Sequence, residues 1–171
     1  DVGFDLYCQM LEDAVRKLKG EKPVHVFRTP VYVKTNIFIP DSYIADEKQK
    51  IEFYKRYEAC ESLEELTELT REMIDRFGPP PEEVKSLIAM EEVRTLASQL
   101  YIDEIIEDTK LVKMRITKES KLDTKKLVAL IQKDKRLSID RYDREIVNFV
   151  TGAIPPEKKL EEIKKLLQQL L

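Results

Sequence analysis

Tryptophan is absent from these 171 residues; histidine occurs once, cysteine twice and glycine four times. Each shortage removes a class of chemistry. With so little glycine the chain holds neither a GxxxxGK[ST] loop nor a GxGxxG loop, so both common phosphate-cradling turns are missing. A zinc site needs several Cys or His ligands, and Cys8, His25 and Cys60 are too scattered to form one. Without a CxxC pair, the two thiols read as incidental cysteines of a cytoplasmic chain rather than a disulfide framework. His25, in a Val-His-Val context between Pro23 and Pro30, has no nucleophile at a recognised spacing and reads as a connector residue. Glycoside hydrolysis usually wants aromatic sugar platforms, and no Trp supplies one. No apolar run approaches a membrane span, and no signal-peptide pattern opens the chain. The first residues are Asp1-Val2-Gly3-Phe4 rather than Met, which we read as a piece excised from a longer protein.

Charge is what the chain has in abundance. Asp, Glu, Lys and Arg make up 37%, with 30 basic and 33 acidic residues and a formal net charge of −3. That balance excludes a generally basic nucleic-acid coat and leaves only local basic patches open. Many charges with few breakers favour long helices with solvated outer faces. The hydrophobic fraction of 42% is ample for one core at this length.

Apolar periodicity divides the chain in two. Residues 4–19 carry Phe4, Tyr7, Cys8, Leu11, Ala14, Val15 and Leu18 at helical spacing, with Gly20 placed to stop the helix. Residues 31–39 are β-branched and aromatic, a strand or extended arm ended by Pro40. Asp46 caps a helix over 47–60, with Ile51, Phe53, Tyr54 and Tyr57 inward. Ser62 and Glu65 form a capping box for a helix to Phe77, whose inward face is Leu63, Leu66, Leu69, Met73, Ile74 and Phe77. Gly78 and Pro79-Pro80-Pro81 end it, and Pro81 suits the first position of a further helix to about Leu100. Beyond residue 101 the pattern becomes two hairpins, each followed by a helix. These are strands at 101–107 and 111–116, a helix at 123–133, strands at 137–140 and 144–150, and a helix at 155–171. Leu127, Val128, Leu130 and Ile131 face inward on the first of these helices. Leu160, Ile163, Leu166, Leu167, Leu170 and Leu171 do so on the second. The expected fold is α+β, a helical N-terminal part followed by a ββαββα lobe with a small, mostly antiparallel sheet.

Two stretches stand apart from the solvated background. Phe53-Tyr54-Lys55-Arg56-Tyr57 interleaves aromatic and basic residues, a pattern that can stack on nucleobases. The same spacing also describes a core stripe with its charges in water, and the acidic surroundings favour that reading. The second stretch runs from Glu72 to Pro81. Helix geometry puts Glu72, Asp75 and Arg76 on one side. They form either an ordinary intrahelical pair or a polar contact surface for another domain, with Arg76 as a multi-donor anchor. The residues alone do not choose between these. A nucleic-acid module drawing also on Lys125, Lys126, Lys133, Lys135 and Arg136, and a small carboxylate hydrolase, are the rival readings.

The order of motifs resembles a known family. Gly3-Phe4-Asp5-Leu6-Tyr7 with Met10-Leu11-Glu12 is similar to the segment after the motor of bacterial transcription-repair coupling factors. Ile39-Pro40-Asp41-Ser42-Tyr43-Ile44-Ala45-Asp46 resembles their IPxxYIxD stretch, and Phe53-Tyr54-Lys55-Arg56 the helix that follows. Glu72-Met73-Ile74-Asp75-Arg76-Phe77-Gly78 with Pro81 resembles their ELxDRFGxxP signature. Residues 82–171 fit in length and character without a quotable motif. The chain departs from the pattern between the first helix and the IPxxYIxD stretch, where it carries Phe27, Tyr32 and Phe38.

The resemblance implies a C-terminal regulatory domain over 21–171, with residues 1–20 as a linker helix from an upstream motor. It implies no catalytic residue, metal or cofactor in this fragment; ATP belongs to the parent's motor, which also holds the DNA. The implied partner is the N-terminal UvrA-binding domain of the same protein, masked until RNA polymerase is engaged, with Glu72, Asp75 and Arg76 at the contact. UvrA and RNA polymerase are reached through the parent, and no membrane is involved.

Overall fold

The computed structural model describes residues 3, 7, 8, 10–12, 14, 15 and 27–171. The described residues from Gly3 to Val15 are helical, as their spacing predicts. The Gly20 stop, Pro23 and His25 lie outside the described residues. The chain then runs β1 (Val31–Tyr32), α1 (Glu47–Ala59), α2 (Leu63–Phe77), α3 (Glu82–Gln99), β2 (Glu104–Asp108) and β3 (Leu111–Arg115). It closes with α4 (Thr124–Lys133), β4 (Leu137–Ile139), β5 (Ile146–Val150) and α5 (Pro156–Gln169).

Helix starts follow the capping residues. The side chains of Asp46, Ser62 and Asp123 accept hydrogen bonds from the backbone N–H groups of Gln49, Glu65 and Lys125. The capping box at α2 is displaced by one residue: Glu65 Oε2 accepts from the N–H of Glu61, not from that of Ser62. Pro81 is the cap of α3 rather than its first turn, because its ψ of 169° is still extended. Glu82 and Glu83 occupy the first turn, where the helix dipole favours them.

The sheet has the order β1-β2-β3-β5-β4. The ββαββα lobe supplies four antiparallel-paired strands, and β1 joins as a parallel edge, Val31 opposite Ile105. The expected strand over 31–39 is therefore only two residues of ladder followed by an extended arm. Its pairing ends because the Lys34 N–H goes to the Glu107 carboxylate instead of a strand carbonyl. The strand expected from residue 101 starts at Glu104. Tyr101 is held at φ 53° to close α3, with the Ile102 N–H reaching back to the Ala97 carbonyl.

Alternation puts Ile105, Val112, Met114, Val147 and Phe149 on one sheet face, where α3 and α5 cover them. A second core joins Ile39, Ile44, Phe53, Tyr57, Leu66, Leu69 and Met73 to Val84 and Leu87. Helix α3 runs through both cores, which is why it is buried on most of its sides and shows no single apolar stripe. Four inward assignments are corrected. Ile51, Ile74, Val128 and Leu171 are exposed, because each lies at the edge of its stripe or beyond the helix end and no second element among the described residues covers it.

Candidate functional site

The motif stretches converge at the corner between α1 and α2. Ile44 is fully buried, and the Tyr43 hydroxyl donates to the Gly78 carbonyl at 2.6 Å. Gly78 sits at φ +83°, a conformation that favours glycine, and its N–H closes α2 on Ile74 O. The Phe77 ring is tilted on Tyr43 at 6.0 Å and meets Phe53 edge-on at 5.8 Å. These separated motifs are thus one packing unit that fixes where the end of α2 points.

On that aromatic base sits a charged cluster. Arg56 grips Glu72 with both terminal nitrogens, Nη1 to Oε2 and Nη2 to Oε1 at 3.0 Å. The hydrogen bond from Arg56 holds the Glu72 carboxyl below its ordinary range, while Glu72 raises the Arg56 guanidinium. Arg76 reaches the same carboxylate at 3.8 Å, and its guanidinium lies over Phe53 at 5.3 Å and Phe77 at 5.1 Å. Asp75 is exposed and makes no hydrogen bond or ion pair within the described residues.

The structure therefore brings Glu72, Asp75 and Arg76 to one groove of about 740 Å³ along α2 and the end of α1, lined also by Arg56, Cys60 and Arg71. It gives them unequal roles. Glu72 is committed internally, Arg76 is half committed, and Asp75 has no partner among the described residues. Sequence reasoning missed Arg56 as the clamp on Glu72. Its sequence signal is only the aromatic-basic stretch 53–57, and no spacing along α1 points to its partner on α2.

The same geometry removes the stacking platform from the rival nucleic-acid reading. Phe53 and Tyr57 have no exposed surface, and the Tyr54 hydroxyl accepts the Ile39 N–H at 2.6 Å. Of the basic residues offered for it, Arg136 is tied to Asp134 and Glu162, and Lys126 to the Leu171 carbonyl. Among the described residues no group of three or more His, Cys, Asp or Glu is arranged to hold a metal, and no helix is long and apolar enough to cross a membrane.

Known proteins place this architecture. A family model described as the TRCF domain matches residues 33–127. The transcription-repair-coupling factor of Bacillus subtilis (strain 168) is 35% identical over 179 residues, covering 96% of this chain and 15% of the relative. That of Myxococcus xanthus is 28% identical over 170 residues, covering 99% of this chain and 14% of the relative. This chain thus spans a small part of the length of the curated relatives it matches. A crystal structure of the C-terminal domain of transcription-repair coupling factor superposes with a TM-score of 0.74 over 84% of this chain and 92% of that one. At 19% identity that likeness is one of fold. With its motif-bearing half inside the matched range, the chain belongs to the TRCF domain family.

Proposed function

We propose that this chain is a non-catalytic interaction domain of a transcription-coupled repair translocase. In this reading residues 1–20 are the linker helix from the motor and 21–171 the regulatory C-terminal domain. The domain packs against the UvrA-binding domain of the same protein and masks it until the parent engages RNA polymerase. The observation that carries this reading is the division of labour at the end of α2. Arg56 fixes Glu72, the aromatic base holds Arg76, and the resulting surface presents Asp75 with no hydrogen-bond or ion-pair partner among the described residues. A preordered charged face loses little entropy when a partner docks. Acidic residues also outnumber arginines along the groove, which suits a basic partner surface.

Linkage gives the test. Removing a contact made only in the closed state shifts the parent toward the open one by that contact's differential energy. Asp75→Ala removes no hydrogen bond or ion pair among the described residues, so stability should change by less than ~0.5 kcal/mol. The Glu72/Asp75/Arg76 triple alanine variant should also remain folded. It should weaken domain–domain binding by ~2–4 kcal/mol. In the intact parent it should expose UvrA binding without polymerase. The measurement is UvrA affinity of the wild-type and triple-variant parents, with thermal melts of both. Equal affinity in two well-folded proteins rejects this face as the lock.

A further inference from the structure

On the other side of Cys60 lies a cavity of about 190 Å³ that the interdomain reading does not use. Its walls come from three separate places: Phe27 and Arg28 before β1, Cys60 and Glu61 at the α1–α2 corner, and the last two turns of α3 with Tyr101. It is smaller than the ~300–1,000 Å³ of a drug-sized pocket, which selects for a small group. Several donors of its polar lining are not spent on protein partners. Thr95 is only 7% exposed, and its hydroxyl, which makes no hydrogen bond within the described residues, is left open to solvent. The neighbouring Ser98 differs: it accepts from the Thr29 N–H and donates to the Arg94 carbonyl. Arg28 is half-buried and makes no ion pair or hydrogen bond within the described residues, acting on the Glu91 carboxylate through space. Arg94 spends a single nitrogen, Nη1, on Glu91 at 2.5 Å. Glu61 is the acidic residue of the rim, and its backbone N–H is bound to Glu65. The apolar wall is the Phe27 ring stacked on Tyr101, 5.5 Å apart and within 5° of parallel, with the Lys121 ammonium 4.3 Å from the Tyr101 ring centre.

We propose that this cavity binds the phosphoryl group of a small molecule, with Arg28 and Arg94 neutralising it and the Thr95 hydroxyl donating to one of its oxygens. Two guanidiniums with unused donors suit a tetrahedral oxyanion, because each N–H fork aligns with a pair of oxygens. The rest of the molecule can lie against the Phe27–Tyr101 wall at the mouth. That wall favours a phosphate carried on a ring over inorganic phosphate.

Isothermal calorimetry on the 171-residue chain tests this with adenosine monophosphate, inorganic phosphate and adenosine as probes. The expected result is saturable binding of the monophosphate, weaker competing binding of phosphate, and adenosine at least about tenfold weaker than the monophosphate. Arg28→Gln should weaken the monophosphate about tenfold or more, and the near-isosteric Thr95→Val about threefold to tenfold. Lys125→Gln, distant from the cavity, should leave binding unchanged, and thermal melts check that each variant is folded. No saturable binding below ~10 mM, adenosine binding as well as its monophosphate, or equal affinities in folded Arg28→Gln and Thr95→Val, would overturn the proposal. Because none of these variants touches Glu72, Asp75 or Arg76, the result is independent of the interdomain lock.

Discussion

Tyr57 shows how much a single buried hydroxyl does here. The side chain is completely covered, and its oxygen is 2.9 Å from Thr70 Oγ1 and 3.9 Å from the Met73 sulfur. Burial pushes its pKa from 10.0 up to about 12. The folded chain therefore keeps a proton that the unfolded chain releases over that interval. The contribution of Tyr57 to stability is fully present below about pH 10 and is lost as pH rises towards 12. Tyr57→Phe should remove most of that alkaline loss and cost about 1 kcal/mol at neutral pH, where the Thr70 hydroxyl loses its partner. Denaturant melts of both proteins at neutral and alkaline pH check this. An equally steep alkaline loss in Tyr57→Phe would assign the effect to other groups.

At the scale of elements, polar contacts decide where strands stop and helices attach. Lys159 on α5 pairs with Glu107 on β2 at 2.5 Å, with side-chain exposures of 10% and 3%. The other oxygen of Glu107 accepts the Lys34 N–H, so a single carboxylate joins the β1 arm, the sheet and α5. Breaking such a pair strands a buried charge, whereas replacing both partners does not. Lys159→Met should cost ~3–5 kcal/mol, and Lys159→Met with Glu107→Gln should recover much of it. A double variant no more stable than the single one would mean that the pair is not the source of the loss. The α2 cap is a smaller effect. Ser62→Ala should cost ~1 kcal/mol, read as a lower melting temperature. An unchanged melt would show that the displaced Glu65–Glu61 bond holds that end without the hydroxyl.

For the whole molecule, the decisive feature is that α3 belongs to both hydrophobic cores. Val84 and Leu87 serve the α1–α2 lobe, and Val93, Leu96, Ala97 and Leu100 serve the sheet. Neither lobe retains its core if α3 unfolds, so the two should unfold together. Leu96→Ala, at a position with no exposed surface, should cost ~2–5 kcal/mol. It should lower the opening free energies of α2 and β3 equally, as measured by amide hydrogen exchange. A drop confined to β3 would show that the lobes unfold independently. This coupling makes the end of α2 a stable platform and not a loosely attached surface.

Local rules carried much of this fold. Asp46, Ser62 and Asp123 set helix starts through their own oxygens, and Gly78 with three prolines set one stop, because caps and turns depend on neighbouring residues only. Alternation likewise marked which side of β2, β3 and β5 faces the core. The motifs at 39–46 and 72–81 mark the family, and helix spacing alone groups Glu72, Asp75 and Arg76 on one side of α2. What spacing along one helix does not hold is a partner on another. Arg56 on Glu72 and β1 beside β2 both join residues distant in the chain. Only the tertiary structure decided that Glu72 is spent, that Asp75 has no partner among the described residues, and that α3 serves two cores. Each depends on which surfaces meet once the whole chain is packed, and that is a property of the packing and not of any one segment.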